Sequence, residues 1–355
     1  MTTAARRSAL VAAAVERDLA GFLVTTLVNV RYLTGFTGSN GAVLVPVDGD
    51  TILFTDGRYQ DQAVAEAPDV THSITRDLLG GAAEHMGSGT WGVETHTLSV
   101  DAHTRLTTHD PAPRVVGADR VVERLREIKD DDEIASLREA CDISTRALTR
   151  ILDGPLVGRT ERDVARELER AMFELGAEAI AFDTILASGE NTAIPHHSPT
   201  DRVLGDGELL KIDFGARVDG YHADCTRTVV LGRADDWQRE VYEVVRESQA
   251  AGVELLREGV AVSDSDAAAR GSLADAGWLE AFTTGLGHGV GLQIHEDPFI
   301  AASHAGKLSS RTVLTMEPGI YVPGRGGVRI EDTVLVTAGA PEVLTTMTKD
   351  LMEIG

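Results

Sequence analysis

The sequence predicts an α/β protein of two domains, and three features of its pattern indicate this. Short apolar runs alternate with stretches of helical spacing in the first third, which is typical of a mixed α/β sheet. A charged helical stretch over 120–152 comes next, and the remainder contains two long pairs of strands. The 355 residues also suffice for two domains of roughly 100–200 residues each.

The N-terminal elements follow from apolar spacing and from turn residues. Gly21 ends the first helix, the Asp48–Asp50 segment forms a hairpin turn, and Pro68 ends the next helix. In chain order we predict a helix over 4–20, a buried strand over 21–26, a hairpin of 42–47 with 51–55, a helix over 58–67, a strand over 91–95 and a helix from about 100.

The pattern changes near residue 120, and we place the domain boundary at about 122–130. The long helix over 120–152 ends at the stop signal Asp153-Gly154-Pro155. After it we predict a helix from 160, paired strands over 209–231, helices over 235–257 and 263–277, a glycine-rich segment over 285–291 and paired strands over 312–336. We therefore predict an N-terminal domain over 1–122, a linker over 123–130 and a C-terminal domain over 131–355.

Composition excludes several classes of function. The net charge of −23 argues against nucleic acid as a partner, because phosphate neutralisation needs basic clusters. No apolar run approaches the ~18 residues of a membrane span, and the first residues indicate an amphipathic helix, not a signal peptide. Cys141 and Cys225 are too few for a disulfide framework, which indicates the cytoplasm.

Both pairs of long strands carry carboxylates within apolar runs, and a histidine lies in the glycine-rich segment between them. These residues are Asp213, Asp224, His288, Glu317 and Glu331. A single such acid is usually a bulge or edge residue, but the same anomaly in two hairpins favours a metal site. Carboxylates that lie close together repel unless a cation separates them. This oxygen-rich set suits two ions of Mn, Co, Fe or Zn.

The blocks around these residues resemble the signature of the Xaa-Pro peptidases, the aminopeptidase P and prolidase branch of the "pita-bread" metallopeptidases. The blocks are AFDTILASGENTAIPHH, KIDFG, DCTRT, GLGHGVGLQIHEDP, TMEPGIYV and GVRIEDT. NVRYLTGFTGSNG and FTDGRYQDQA resemble the N-domain of bacterial aminopeptidases P. The resemblance implies a small mixed-sheet, creatinase-like N-terminal α/β domain and a C-terminal pita-bread (creatinase/aminopeptidase-like) catalytic domain.

The resemblance also implies a role for each of the five residues. Asp213 would chelate one ion, Asp224 and Glu331 would bridge two ions, and His288 and Glu317 would complete the second ion. Glu317 would also accept a proton from the attacking water. We expect two divalent ions, Mn²⁺ first, with Co²⁺ or Zn²⁺ as alternatives.

Three further residues match catalytic positions of that family. His196 would stabilise the tetrahedral intermediate, His295 would lie near the scissile bond, and Arg329 would lie beside the metal ligands. His197 is the alternative to His196. His222 precedes a metal ligand by two residues and has no assigned role.

The expected activity is that of an Xaa-Pro aminopeptidase acting on peptides with proline in second position. The alternative is a prolidase that cleaves Xaa-Pro dipeptides, in which Arg31 or Arg58 would hold the free carboxylate. A methionine aminopeptidase would not need the N-domain, and a peptide-binding pseudoenzyme would have lost metal ligands. The resemblance further implies a homodimer.

Overall fold

The computed structural model describes residues 1–87 and 89–355. They form two compact units, Met1–Arg126 and Glu127–Gly355. The domain limits predicted from the sequence, with the linker over 123–130, stay predictions.

The first unit contains a six-stranded mixed sheet in the order β4-β3-β2-β1-β5-β6. Strand β1 pairs antiparallel with β2 and parallel with β5, and β2 pairs antiparallel with β3 as the predicted hairpin. The strands are β1 (Gly21–Val24), β2 (Gly41–Pro46), β3 (Ile52–Thr55), β4 (Thr71–Ile74), β5 (Thr90–Val93) and β6 (Arg114–Gly117). The helices are α1 (Thr3–Glu16), α2 (Leu27–Thr34), α3 (Gln60–Glu66), α4 (Leu78–Met86), α5 (Val100–Thr107) and α6 (Val121–Glu127).

Helix α1 is shorter than the predicted span of 4–20. It ends at Glu16, and Asp18 has a left-handed backbone with φ of 53°. Aspartate tolerates this conformation better than most residues because its short side chain can bond locally. Gly21 therefore begins a strand and does not end the helix.

The second unit carries helices against several small sheets. Its helices are α7 (Asp131–Leu152), α8 (Glu161–Glu174), α9 (Asp236–Glu254) and α10 (Val262–Asp275), with 3₁₀ turns at Gly189–Ala193 and Leu279–Ala281. Its strands are β7 (Ala179–Ile180), β8 (Ile185–Ser188), β9 (Leu209–Phe214), β10 (Ala216–Val218), β11 (Tyr221–His222), β12 (Cys225–Leu231), β13 (His288–Gly289), β14 (Glu296–Phe299), β15 (Val313–Met316), β16 (Gly319–Val322), β17 (Gly326–Arg329), β18 (Asp332–Leu335), β19 (Glu342–Val343) and β20 (Glu353–Ile354). The two larger sheets have the orders β20-β12-β9-β8 and β14-β13-β15-β18-β19.

The stretch predicted as one helix over 120–152 is two helices. Asp130 interrupts it, because its carboxylate accepts the N–H groups of Asp132 and Glu133, while the Glu133 carboxylate accepts the N–H of Asp130. This capping box starts α7 anew.

The two predicted strand pairs are antiparallel ladders whose register orients the acidic residues. In β9, Leu210, Ile212 and Phe214 pack into the apolar core, so Lys211 and Asp213 lie on the opposite face. Asp213 is paired with Thr226 of β12. The second predicted pair is two short ladders, β15 with β18 and β16 with β17, with a break between them.

Among the described residues, no helix combines the length and the apolar character needed to cross a bilayer.

Candidate active site

The second unit contains a cavity of about 840 Å³ that the predicted site residues line. The residues on its wall that the sequence analysis named are His196, His197, Asp213, Asp224, His288, His295, Glu317 and Glu331. Helix α8 and the segment before β9 form further parts of the wall. Residues from five separate chain segments therefore meet in one cavity.

Three of the five predicted metal ligands have their ligand atoms close to one another. Ligand atoms of Asp224, His288 and Glu331 all lie within 4.8 Å of one another. The His288 Nε2 atom lies 3.6 Å from Asp224 Oδ2 and 3.4 Å from Glu317 Oε1. All three clustered residues are buried, so their charges have little access to water.

The electrostatics of the cluster favour a bound cation. Burial and the neighbouring charges of Glu331, Asp213 and Glu317 raise the pKa of Asp224 well above its usual range. Burial, followed by the charges of Glu317 and Asp213, does the same to the pKa of Glu331. A divalent ion would relieve this repulsion.

The donor chemistry also fits metal ions. Asp213 Oδ1 is buried and has no hydrogen-bond partner among residues 1–87 and 89–355, although a buried polar atom normally has one. Carboxylate oxygens with one imidazole nitrogen form a hard ligand set that suits Mn²⁺, Co²⁺ or Zn²⁺. The residues present therefore fit a divalent metal centre.

Arg329 connects Asp213 to the loop that contains Pro195 and His196. It is fully buried and forms an ion pair with Asp213. Its Nη1 donates to the Tyr321 hydroxyl at 2.8 Å and to the carbonyl of Pro195 at 3.2 Å. Its Nε donates to Thr226 Oγ1 at 3.1 Å. Arg329 thus contacts one predicted metal ligand, Asp213, directly.

The two candidate histidines of the IPHH block differ in environment. His196 is exposed and lines the cavity, whereas His197 is buried and its Nε2 donates to Glu161 Oε2 at 2.9 Å. The exposed side chain of His196 can contact a molecule in the cavity more readily than the buried side chain of His197. His222 is bonded through Nδ1 to the carbonyl of Gly291 at 2.9 Å.

His295 packs edge-on against a predicted metal ligand. The ring centroids of His295 and His288 lie 4.4 Å apart at an interplanar angle of 81°. Burial and the neighbouring His288 lower the pKa of His295. A neutral His295 can both donate and accept a hydrogen bond.

Sequence reasoning missed three residues that hold this site together. Thr226 Oγ1 donates to Glu331 Oε2 at 2.7 Å. Glu161 binds His197, and Lys211 Nζ donates to the carbonyl of Ile194 at 2.6 Å. A lysine inside an apolar strand, two residues before Asp213, was a signal that could have been read from the sequence.

Comparison with known protein families identifies both parts of the chain. Residues 135–338 match the model of metallopeptidase family M24, and residues 6–128 match the creatinase/prolidase N-terminal domain.

Individual relatives match over almost the whole chain. The Xaa-Pro dipeptidase of Pyrococcus furiosus is 35% identical over 339 residues, covering 95% of this chain and 96% of that protein. The solved Xaa-Pro dipeptidase from Bacillus anthracis is 34% identical, with a TM-score of 0.93 and coverage of 99% and 100%. The X-Pro aminopeptidase from Thermotoga maritima is 32% identical, with a TM-score of 0.91 and coverage of 98% and 99%. These matches confirm the pita-bread fold and the family that the sequence blocks indicate.

Proposed function

Because this chain belongs to metallopeptidase family M24, we propose that it is an Xaa-Pro dipeptidase, a hydrolase that releases a free amino acid and proline from a dipeptide. The observation that carries the dipeptidase assignment is the near-full-length similarity to proteins named Xaa-Pro dipeptidase. The sequence analysis put the aminopeptidase first, and the relatives favour its alternative.

An Xaa-Pro aminopeptidase is the second candidate. The similarity to the Thermotoga maritima X-Pro aminopeptidase, with a TM-score of 0.91, favours it. The substrates of the two activities differ only on the carboxyl side of the proline, where one has a free carboxylate and the other has a further residue. Groups that recognise a carboxylate therefore decide between them.

Metallopeptidases of family M24 use a dinuclear divalent metal centre. In our proposal Asp213 and the clustered Asp224, His288 and Glu331 hold the ions, with Glu317 completing the set. Asp224 and Glu331 would each contribute a carboxylate to this centre. The choice of Mn²⁺ over Co²⁺ or Zn²⁺, the homodimer and the cytoplasmic location belong to the same proposal.

The chemistry that bound divalent ions supply is a water with its pKa lowered to about 7 and a polarised carbonyl. Glu317 would accept a proton from the attacking water. That proton would then reach the proline nitrogen, which leaves as a secondary amine. His196 donates a hydrogen bond to the oxyanion that develops on the substrate carbonyl. His295, neutral because its pKa is lowered, hydrogen-bonds beside the scissile bond.

A dipeptidase also needs a cation for the substrate's carboxylate. Arg58, one of the two residues considered for this, is ion-paired with Asp56 at 2.9 Å. The cavity wall carries two guanidinium groups, and Arg162 is ion-paired with Asp201. Arg166, on the next turn of α8, is exposed and has no ion-pair partner among the described residues. Arg166 is therefore the better candidate to bind a substrate carboxylate.

The proposal is tested by comparing Leu-Pro, Leu-Pro-Gly and Leu-Ala as substrates with added Mn²⁺. We expect Leu-Pro to be cleaved much faster than the other two peptides. Preferential cleavage of Leu-Pro-Gly would instead establish the aminopeptidase. Chelation should abolish activity and divalent ions should restore it, so full activity in a verified metal-free sample would refute the metallopeptidase mechanism.

A further inference from the structure

One buried carboxylate holds the loop that carries His196. Glu161 is the first residue of α8 and is fully buried. Its Oε1 accepts the N–H of Ser188 at 2.8 Å, the Ser188 hydroxyl at 3.0 Å and the side-chain amide of Asn191 at 3.1 Å. These contacts fix the loop on the N-terminal side of His196.

The second oxygen of Glu161 fixes the other side of the same loop. Its Oε2 accepts a hydrogen bond from His197 Nε2 at 2.9 Å, from the Thr200 N–H at 3.0 Å and from the Thr200 hydroxyl at 2.7 Å. Residues before and after His196 are therefore tied to a single carboxylate.

The carboxylate is charged and fully satisfied. Burial opposes its ionisation, yet the hydrogen bonds from Thr200, His197 and Asn191 lower the pKa of Glu161 to about 2. Hydrogen bonds to an ionised carboxylate are roughly twice as strong as neutral ones. Six such bonds make Glu161 a rigid attachment point for the loop.

The side chains of Lys211 in β9 and Arg329 in β17 hold the middle of the loop. Lys211 Nζ donates to the carbonyls of Thr192, Ile194 and Pro195 at 3.1, 2.6 and 3.2 Å. Arg329 Nη1 also donates to the Pro195 carbonyl. The His196 side chain is left to face the cavity, while the backbone on both sides of it is held.

We propose that Glu161 is a positioning residue that sets where His196 points in the cavity. This inference rests on the role of His196 proposed above. If it holds, loss of the Glu161 charge should act on catalysis through His196 and leave the metal ligands in place. A merely structural Glu161 would instead affect stability without a specific link to His196.

The test is a double-mutant cycle with Glu161→Gln and His196→Ala, measured on Leu-Pro. Glutamine keeps one acceptor oxygen but turns amide hydrogens toward three of the donors. Since a misplacement of 1 Å can cost about 100-fold, we expect Glu161→Gln to lower kcat by roughly 10–100-fold, with KM and metal content close to those of the parent. In the His196→Ala background the same change should alter kcat by less than about 2-fold, because the group that Glu161 positions is already absent.

Matched variants separate positioning from general damage. Glu167→Gln, on the same helix, removes the half-exposed partner of Arg159 and should leave kcat unchanged. If Glu161→Gln does not fold, Thr200→Val removes one of the six bonds and should show a smaller fall in kcat that also vanishes without His196. An equal fall in kcat in both backgrounds would overturn the positioning role. If His196→Ala alone left kcat unchanged, the role proposed for His196 would fail, and this inference with it, while Leu-Pro cleavage by the parent would still stand.

Discussion

Thr226→Val is the change that most directly tests how the protein holds a proposed metal ligand. Thr226 is fully buried in β12, and its hydroxyl donates to Glu331 Oε2 at 2.7 Å while accepting from Arg329 Nε at 3.1 Å. Valine has the same shape but removes both bonds. The side chains of Glu331 and Arg329 then each lose a buried partner.

The magnitude can be worked out from these two contacts. A hydrogen bond to a charged group contributes about 1.5–3 kcal/mol, so we expect the free energy of unfolding to fall by about 3 kcal/mol or more. Loss of a hydrogen bond to a metal ligand typically weakens metal binding by about 10–100-fold. Chemical denaturation of the Mn²⁺-loaded protein, in which Glu331 is ionised, would measure the first effect. Isothermal titration of the metal-free protein with Mn²⁺ would measure the second.

Thr228→Val is the matched control. Thr228 lies two residues further along β12 and is equally buried, but its hydroxyl bonds only to backbone groups of Arg329, at 2.9 and 3.2 Å. The control should lose about 1–3 kcal/mol of stability, the sum of two neutral bonds, with Mn²⁺ affinity unchanged. If Thr226→Val bound Mn²⁺ as tightly as the control, Glu331 would not depend on this hydrogen bond and the reasoning would be refuted.

Three other predictions concern charge and substrate. In the metal-free protein, folding raises the pKa values of Asp224 and Glu331 above their unfolded values of 3.8 and 4.5. The stability that these two protonated groups contribute is complete at a pH below the unfolded pKa values. It is lost as the pH rises through the folded pKa values. The thermal midpoint of that form should therefore fall from pH 5 to pH 8, and a midpoint that rose would contradict this. His196→Ala should lower kcat by about 100–1000-fold with metal content retained. If His197→Ala lowered kcat strongly and His196→Ala did not, the catalytic role would belong to His197. Arg166→Gln should raise the KM for Leu-Pro by about 10–100-fold but leave the KM for Leu-Pro-amide unchanged, because only Leu-Pro has the free carboxylate. An equal rise in both KM values would exclude carboxylate binding by Arg166.

The sequence revealed the parts of the site that break a local pattern. Asp213 and Glu331 stand out because a charge inside an apolar run needs a partner, and the same anomaly appears in both hairpins. The order of the surrounding blocks then indicated the family. The structure brings all five predicted ligands to one cavity, as the hairpin argument required.

The parts that sequence reasoning missed depend on contacts between distant segments. Glu161 looks like an ordinary acid in the first turn of a helix, and nothing local shows that its partners lie at 188–200. Lys211 donates hydrogen bonds to backbone carbonyls. Every residue has a backbone carbonyl, so the residue types in the sequence do not indicate which positions Lys211 contacts. The break before α7 had a local signal, the Asp130 and Glu133 capping box, but the surrounding helical charge pattern masked it.

Three of the four carboxylates lie where one antiparallel ladder ends and the next begins. Glu317 separates β15 from β16, Glu331 separates β17 from β18, and Asp224 separates β11 from β12. Side chains in a regular strand alternate between faces, so breaks in the ladders let acids from several strands converge. Arg329 pairs with one carboxylate, Asp213. Burial, together with the charges of Glu331, Asp213 and Glu317, still raises the pKa of Asp224. The same convergence of buried carboxylates that disfavours the metal-free state would favour a bound cation, so in our proposal folding and metal binding reinforce each other.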